Sequence, residues 1–172
     1  MFKTINDGKL PTRGSKYSAC VDLYASEDVV ICAGETVMLG LGVCIDLEPM
    51  HTTAKLSAGY TDDDLDIFKK SHYLQLMLRS SLGKKGLIIP NGVGVIDLDY
   101  EDEIKVLIHN PLKLKWWNEK NEGYLFPKVK SDTSYSIKKG DRIAQITLLE
   151  HKSYLFGIDI DTTRNGGFGS TD

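Results

Sequence analysis

Residues 35–47 read ETVMLGLGVCIDL, and they carry the strongest periodicity in the chain. Apolar side chains occupy every second position: Val37, Leu39, Leu41, Val43, Ile45 and Leu47. Because successive side chains of a β-strand point to opposite faces of its sheet, this alternation predicts one strand with a single buried face. Shorter alternations recur in YLQLMLRS (residues 73–80) and EIKVLIHN (residues 103–110), with turn-forming residues between the segments. The sequence therefore predicts a mainly antiparallel β-sandwich or barrel.

The composition is ordinary for a globular protein of one domain. The chain has 172 residues, of which 41% are hydrophobic and 26% charged, and its net charge of -3 gives no general electrostatic reason to bind nucleic acid. No apolar run approaches the roughly 20 residues that span a bilayer, and the first ten residues lack the apolar stretch of a signal peptide. We therefore expect a cytoplasmic or nuclear protein with no membrane contact and no direct nucleic-acid contact.

Two excursions and a terminal arm interrupt the strand pattern. In the first excursion, residues 50–71, Thr61 is placed to cap a short helix whose first turn is acidic and whose last turn is basic, as the helix dipole favours. The second excursion, residues 111–132, has no clear period. Residues 161–172 are rich in glycine and polar residues, which predicts a flexible arm after a single β domain over residues 1–160.

Three stretches combine arginine with hydroxyl, amide or exposed backbone groups, which are typical of phosphate binding. They are LRSSLGKKG at residues 78–86, GDRIAQ at residues 140–145 and RNGGFGST at residues 164–171. A fourth stretch, NGVGVIDLDY at residues 91–100, places the carboxylate of Asp97 among apolar residues. An ionised carboxylate is costly beside apolar surface, so we expect Asp97 to have partners or a catalytic role.

Five stretches in this order resemble the five motifs of the homotrimeric dUTPase family, the pyrophosphatases that convert dUTP to dUMP and pyrophosphate. They are ACVDLYAS (19–26), RSSLGKKG (79–86), NGVGVIDLDY (91–100), KKGDRIAQ (138–145) and RNGGFGST (164–171). The resemblance implies an all-β, jelly-roll-like fold that assembles as a homotrimer, with a short helix in an insertion. It also implies active sites shared between subunits and a cellular role in limiting uracil in DNA and supplying dUMP for dTMP synthesis.

The resemblance also implies a role for each site residue. Asp97 is the general base that activates the attacking water, and Asp22 supports the phosphate site. The substrate-binding residues it implies are Arg79, Ser80, Ser81, Asn91, Gly94, Val95, Ile96, Tyr100, Gln145, Arg164, Phe168, Gly169 and Ser170. The implied cofactor is Mg²⁺, bridged by substrate phosphates and water with no direct protein ligand.

Two alternatives share parts of this pattern. A dCTP deaminase, or a bifunctional dCTP deaminase and dUTPase, has the same fold and an R-S-S stretch. These enzymes resemble this chain less, because they lack the G-V-I-D-x-D-Y pattern. A regulatory protein with this fold could instead bind a protein partner through the excursions at residues 50–71 and 111–132. The five motifs favour a dUTPase that binds dUTP over both alternatives.

Overall fold

The computed structural model describes residues 1–111, 114–118, 125–129 and 134–158, and every structural statement below refers to these residues. The predicted arm at residues 161–172 and half of the excursion at residues 111–132 lie outside them. Within them, the chain is mostly β, with two helices and two short helical turns. This confirms the predicted all-β fold class with a helical insertion.

Thirteen strands are described, and their bounds are β1 Phe2–Thr4, β2 Thr12–Arg13, β3 Val21–Tyr24, β4 Val29–Ile31, β5 Thr36–Gly40, β6 Val43–Ile45, β7 His72–Leu78, β8 Gly94–Asp97, β9 Lys105–His109, β10 Leu114–Asn118, β11 Leu125–Val129, β12 Tyr135–Ile137 and β13 Arg142–Glu150. The helical elements are α1 Glu48–Ala58, α2 Asp62–Ser71, the single turn α3 Ser80–Gly83 and a 3-10 turn at Ser153–Phe156.

The largest sheet is antiparallel and has five strands in the order β2-β3-β13-β7-β8. Four antiparallel pairs accompany it: β1 with β6, β4 with β12, β5 with β9, and β10 with β11. Strand neighbours are mostly distant in sequence, as in a jelly-roll-like arrangement. One continuous apolar core lies between these layers, and its largest side chains include Leu23, Ile31, Leu39, Leu74 and Ile146.

The alternating stretch at residues 35–47 identifies the core residues correctly but is not one strand. Leu39, Leu41, Val43, Ile45 and Leu47 are all buried. The chain nevertheless breaks at Gly42, whose φ of +64° takes the backbone out of the extended conformation, so β5 and β6 pair with different partners. A Cβ on Gly8 would lie 1.9 Å from the carbonyl oxygen of Gly42, which shows how closely the N-terminal segment passes this break.

The first excursion forms a helical hairpin rather than a single helix. The predicted helix is confirmed as α2, and Thr61 caps it in a capping box: its hydroxyl accepts from the Asp64 amide at 3.3 Å, while the Thr61 amide donates to the Asp64 carboxylate at 2.7 Å. The Thr61 amide and the Thr61 hydroxyl both donate to the Asp64 carboxylate and lower its pKa, so their contribution is present at neutral pH and is lost as the pH falls through that lowered pKa. The sequence did not predict α1, which has proline near its start and ends at Gly59 in a left-handed conformation.

We expect Thr61→Ala to lower the melting temperature, because the first turn of α2 loses its side-chain acceptor. Loss of an N-cap costs about 1 kcal/mol, which corresponds to roughly 2–4 °C for a chain of this length. Thermal unfolding followed by circular dichroism measures the change. Thr53→Ala is the matched control, since that hydroxyl only donates back to the Pro49 carbonyl within α1. An equal drop in the control would contradict the capping role.

The second excursion contains a β-hairpin that its sequence did not reveal. Strands β10 and β11 pair antiparallel, from Leu114 opposite Val129 to Asn118 opposite Leu125. The pair has no other partner strand among the described residues. None of the helices in the described part of the chain is long and apolar enough to cross a membrane.

Candidate functional site

Strand β8 and the loop before it form one wall of a cavity of about 220 Å³, which we call the hairpin cavity. Its lining residues are Leu76, Ile89, Asn91, Gly94, Val95, Ile96, Tyr100, Lys105, Val106 and Leu107. Five of the residues that the sequence analysis proposed therefore face one space: Asn91, Gly94, Val95, Ile96 and Tyr100. The volume suits a single heterocyclic ring, and the lining is largely apolar with an amide and an ammonium group.

The shape of the hairpin cavity depends on two glycines. Gly92 has a φ of +78° and closes a tight turn, in which its amide donates to the Ile89 carbonyl at 3.0 Å. Gly94 pairs with Leu76 on β7, and a Cβ on Gly94 would lie 3.0 Å from the Cβ of Leu76. Because glycine has no side chain, the backbone of β8 and of the turn before it is accessible to a ligand.

The structure corrects the expected environment of Asp97. The sequence suggested a carboxylate packed among apolar side chains, but Asp97 is exposed, and Val95 on the same face of β8 is 60% exposed. The side of β8 that carries Val95 and Asp97 is therefore open to solvent in the described part of one chain. The turn after Asp97 is closed by the Tyr100 amide, which donates to the Asp97 carbonyl at 3.1 Å.

A second concave region, the arginine cleft, lies around the end of β7, where Arg79 follows the strand. It has a volume of about 510 Å³ and is lined by Gly14, Ser18, Ala19, Cys20, Asp22, Arg79, Ser80, Arg142 and Gln145. At its centre the Asp22 carboxylate accepts from two guanidinium groups. Arg79 Nε lies 2.9 Å from Oδ1, and Arg142 Nη1 lies 3.2 Å from Oδ2.

The sheet register brings these groups together. Asp22 on β3 lies opposite Gln145 on β13, so both side chains project from the same face. Arg79 follows β7 directly, and its amide donates to the Ile143 carbonyl at 3.0 Å, which fixes where the arginine leaves the sheet. Ser80 begins α3 and lines the cleft, whereas Ser81 is exposed and lies outside the set of lining residues.

Arg142 is a site residue that the resemblance did not indicate, although it lies in the GDRIAQ stretch. The side chain of Asp22 is 12% exposed, that of Arg79 27% and that of Arg142 51%. One carboxylate thus holds two cations at a solvent-facing cleft, and the guanidinium nitrogens that do not contact Asp22 can bind an anion. The arginine directly after Gly140-Asp141 in that stretch was the available signal.

The hairpin cavity and the arginine cleft are separate concave regions of one chain. They share no lining residue among those described. Asp97 lies opposite Tyr73 near the start of β7, whereas Arg79 follows its end. Six residues separate these positions on β7, a distance of about 20 Å at roughly 3.4 Å per residue. Asp97 and Arg79 of the same chain therefore cannot both contact one phosphate group.

Four predicted site residues lie outside the described residues. They are Arg164, Phe168, Gly169 and Ser170, all in the predicted arm. The arginine cleft is lined by Asp22, Arg79, Ser80 and Gln145. Asp97 is exposed at the end of β8.

An apolar cavity of single-ring size and a cleft with paired arginines, both on a jelly-roll-like β domain, define the class of protein as nucleotide-binding. No protein-family model matches the chain. The deoxyuridine 5'-triphosphate nucleotidohydrolase of Debaryomyces hansenii is 31% identical over 179 residues, which cover 99% of this chain and 85% of that protein. The same enzyme of Nautilia profundicola is 30% identical over 176 residues, covering 99% and 96%. The chain belongs to the deoxyuridine 5'-triphosphate nucleotidohydrolase family, the dUTPases.

Solved structures share the fold. The dUTPase from Streptococcus mutans is 27% identical, with a TM-score of 0.52 over 94% of this chain and 98% of that one. The dUTPase from phage phi11 of S. aureus has a TM-score of 0.60 over 99% and 97%, at 18% identity. A mutant of that phage enzyme coordinates a structural Mg(II) ion.

Proposed function

We propose that this protein hydrolyses dUTP to dUMP and pyrophosphate, as a dUTP diphosphatase of the cytoplasm or nucleus. The reaction limits uracil incorporation into DNA and supplies dUMP for dTMP synthesis. The observation that carries the proposal is the hairpin cavity, a space of ring size. Five of its lining residues belong to NGVGVIDLDY, the stretch that also contains Asp97.

Asp97 is the general base in this proposal. Its carboxylate takes a proton from a water molecule as the water oxygen bonds to the α-phosphorus. The bond from that phosphorus to the bridging oxygen breaks, and pyrophosphate leaves with the electron pair. Exposure of Asp97 in the single chain supports this role, because a water molecule can reach the carboxylate directly.

The arginine cleft binds the phosphates. Arg79 and Arg142 offer guanidinium donors, the Ser80 hydroxyl and the Gln145 amide add neutral ones, and Asp22 fixes the directions of both arginines. The backbone at Ser81, next to the cleft in sequence, is a further proposed donor. Charge-assisted hydrogen bonds of this kind are roughly twice as strong as neutral ones. The cleft therefore supplies positioning and charge stabilisation rather than a nucleophile.

Uracil selectivity comes from the hairpin cavity. Backbone groups at Gly94, Val95 and Ile96, together with the Asn91 amide, pair with the uracil edge, and cytosine would leave some of these groups unpaired. Such a mismatch can discriminate by about 10⁴. Tyr100, whose hydroxyl donates to the Glu103 carbonyl at 3.2 Å, is held against the sugar position and disfavours a ribose 2'-hydroxyl.

We expect Gly94→Ala to raise KM for dUTP about tenfold with a smaller change in kcat, because the new Cβ would crowd Leu76 and shift the hairpin. Steady-state kinetics measure both constants. Gly83→Ala is the matched control, since a Cβ there meets nothing within 4 Å. Unchanged kinetics in Gly94→Ala would show that the backbone around Gly94 does not bind the nucleotide.

A complete site needs more than one chain, and a homotrimer supplies them. The separation of about 20 Å along β7 supports this, because it keeps Asp97 away from the arginine cleft of its own chain. In a closed ring of three subunits, each site takes Asp97 and the hairpin cavity from one subunit and the arginine cleft from a neighbour. The arm at residues 161–172, with Arg164, Phe168, Gly169 and Ser170, closes the site over the nucleotide and excludes water.

The residues present fit a magnesium ion that is held mainly by the substrate. Both oxygens of Asp22 are engaged by arginines, and among the described residues no group of three or more His, Cys, Asp or Glu side chains could hold a metal ion. In this proposal Asp22 would orient the water shell and the phosphates, and no side chain among the described residues is a direct ligand. A magnesium ion held in this way would neutralise part of the charge of the triphosphate.

Pyrophosphate release from dUTP, with and without EDTA, tests the proposal. We expect EDTA to lower the rate at least about tenfold and added Mg²⁺ to restore it, because the triphosphate loses its bridging cation. Parallel reactions contain dCTP, dTTP and UTP. Ammonia release from dCTP would support a dCTP deaminase or the bifunctional enzyme instead, and no reaction with any nucleotide would support a regulatory binding protein.

A protein partner at the helical hairpin is the second proposal. Leu56 on α1 is 86% exposed and Ile67 on α2 is 63% exposed, so neither belongs to the core and both offer apolar surface to a partner. The excursion at residues 111–132 is a further candidate surface. We expect the double substitution Leu56→Ser and Ile67→Ser to leave dUTP hydrolysis unchanged if this surface serves only a partner.

A further inference from the structure

The helical hairpin enters the sheet beside the proposed general base. Helix α2 ends at Ser71 and β7 begins at His72, without an intervening loop. Tyr73, the second residue of β7, is the Cα partner of Asp97 on β8. Residues directly opposite each other on antiparallel strands project from the same face, with Cβ atoms about 4.5–5.5 Å apart. The side chains of Tyr73 and Asp97 therefore project from the same face of neighbouring strands.

The Tyr73 side chain is held from other directions as well. Its hydroxyl donates to Gln75 Oε1 at 3.2 Å, so the ring lies along β7 rather than out into solvent. Its ring also packs against the His151 ring, with centroids 6.0 Å apart and planes at 59°. Leu149 on β13 lies opposite Tyr73 on the side away from Asp97. A half-buried ring with these neighbours has few rotamers open to it.

Four residues join the end of α2 to the sheet near the start of β7. We call this group the α2–β7 joint; its members are Phe68, Ser71, His72 and His151. The His72 ring stacks on Phe68 with centroids 4.4 Å apart. The Ser71 carbonyl accepts from the His151 amide at 2.7 Å, which ties the end of α2 to the segment after β13. Since Phe68 packs against the core, the joint has a fixed base.

We propose that Tyr73 is a positioning residue for Asp97, held in place by the α2–β7 joint. The proposal rests on the function proposed above. The ring closes one side of the exposed carboxylate and so limits the directions from which Asp97 can accept the proton of a water molecule. A base that is displaced by about 1 Å can lose about 10²-fold in rate while substrate binding is retained. The helical insertion thereby becomes a support of the active site.

Four variants of the full chain test this proposal: Tyr73→Ala, Tyr73→Leu, Tyr73→Phe and, as a control, Tyr154→Ala on the exposed 3-10 turn. The readouts are kcat and KM for dUTP, the Kd of the non-hydrolysable analogue dUpNHpp, and the melting temperature. We expect kcat to fall about 10- to 100-fold in Tyr73→Ala and by a smaller factor in Tyr73→Leu, with Kd within about twofold of the original. Tyr73→Phe keeps the ring and should retain kcat within about threefold.

Three outcomes would overturn the inference alone: kcat within about twofold of the unsubstituted chain in both Tyr73→Ala and Tyr73→Leu, a Kd that rises in proportion to the loss of kcat, or an equal loss in Tyr73→Phe. Tyr73→Leu keeps the experiment decisive if Tyr73→Ala does not fold. Failure of the unsubstituted chain to hydrolyse dUTP would instead overturn the proposed function, and this inference with it. Unchanged kinetics in Tyr154→Ala complete the expected result.

Discussion

Asp97→Asn is expected to lower kcat for dUTP by about 10² to 10⁴, the usual contribution of a positioned general base. The amide has nearly the shape of the carboxylate but cannot take a proton from water at neutral pH. Because Asp97 lies outside the set of residues that line the hairpin cavity and the arginine cleft, nucleotide binding should persist. Pyrophosphate release measures turnover, and calorimetric titration with dUpNHpp measures binding.

Asp102→Asn is the matched control, an exposed aspartate five residues further along the chain. It makes the same chemical change without touching the proposed site, and both constants should stay unchanged. A turnover near that of the unsubstituted chain in Asp97→Asn would show that another group activates the water. A parallel loss of dUpNHpp binding would make Asp97 a binding residue rather than a base.

Mixing two inactive variants should restore activity, and this is the second large effect. Arg79→Ala removes the guanidinium from the arginine cleft and is expected to lose about 10²-fold, since hydrogen bonds to charged groups are worth about 1.5–3 kcal/mol each. Asp22 keeps Arg142 as a partner in that variant, so the fold is retained. In randomly mixed trimers with Asp97→Asn, about a quarter of the sites combine an intact Asp97 with an intact arginine cleft.

The measurement is pyrophosphate release after co-refolding the two variants in equal amounts, with mixed trimers verified by a tag on one of them. The control mixes Asp97→Asn with a chain that carries both substitutions, which leaves no site with an intact Asp97. If mixed trimers form and remain inactive in the first mixture, the sites are built within single chains. Sedimentation as a monomer would contradict the shared site as well.

Local patterns were sufficient to predict part of this molecule. The alternation of Leu39, Leu41, Val43 and Ile45 predicted that these side chains are buried, although the structure also buries Cys44 between them. The capped start of α2 followed from Thr61 and the acidic residues after it, because a capping box is completed within four residues. The family followed from five short motifs in a fixed order.

Other features depend on residues that are distant in sequence. The break at Gly42 accompanies the close approach of Gly8, and Asp22 meets Arg142 from 120 residues away. The exposure of Asp97 is another feature that no local pattern in NGVGVIDLDY indicates. Each of these is set by which strands pair and in which register.

The sequence by itself determined many of the core residues, the capped helix and the set of groups available for dUTP chemistry. Only the tertiary structure decided where those groups lie: Asp97 beside Tyr73 at one end of β7, and Arg79 with Arg142 on Asp22 at the other. The physical reason is that side-chain periodicity is a property of neighbouring residues, whereas distances between functional groups are fixed by strand pairing across the whole chain.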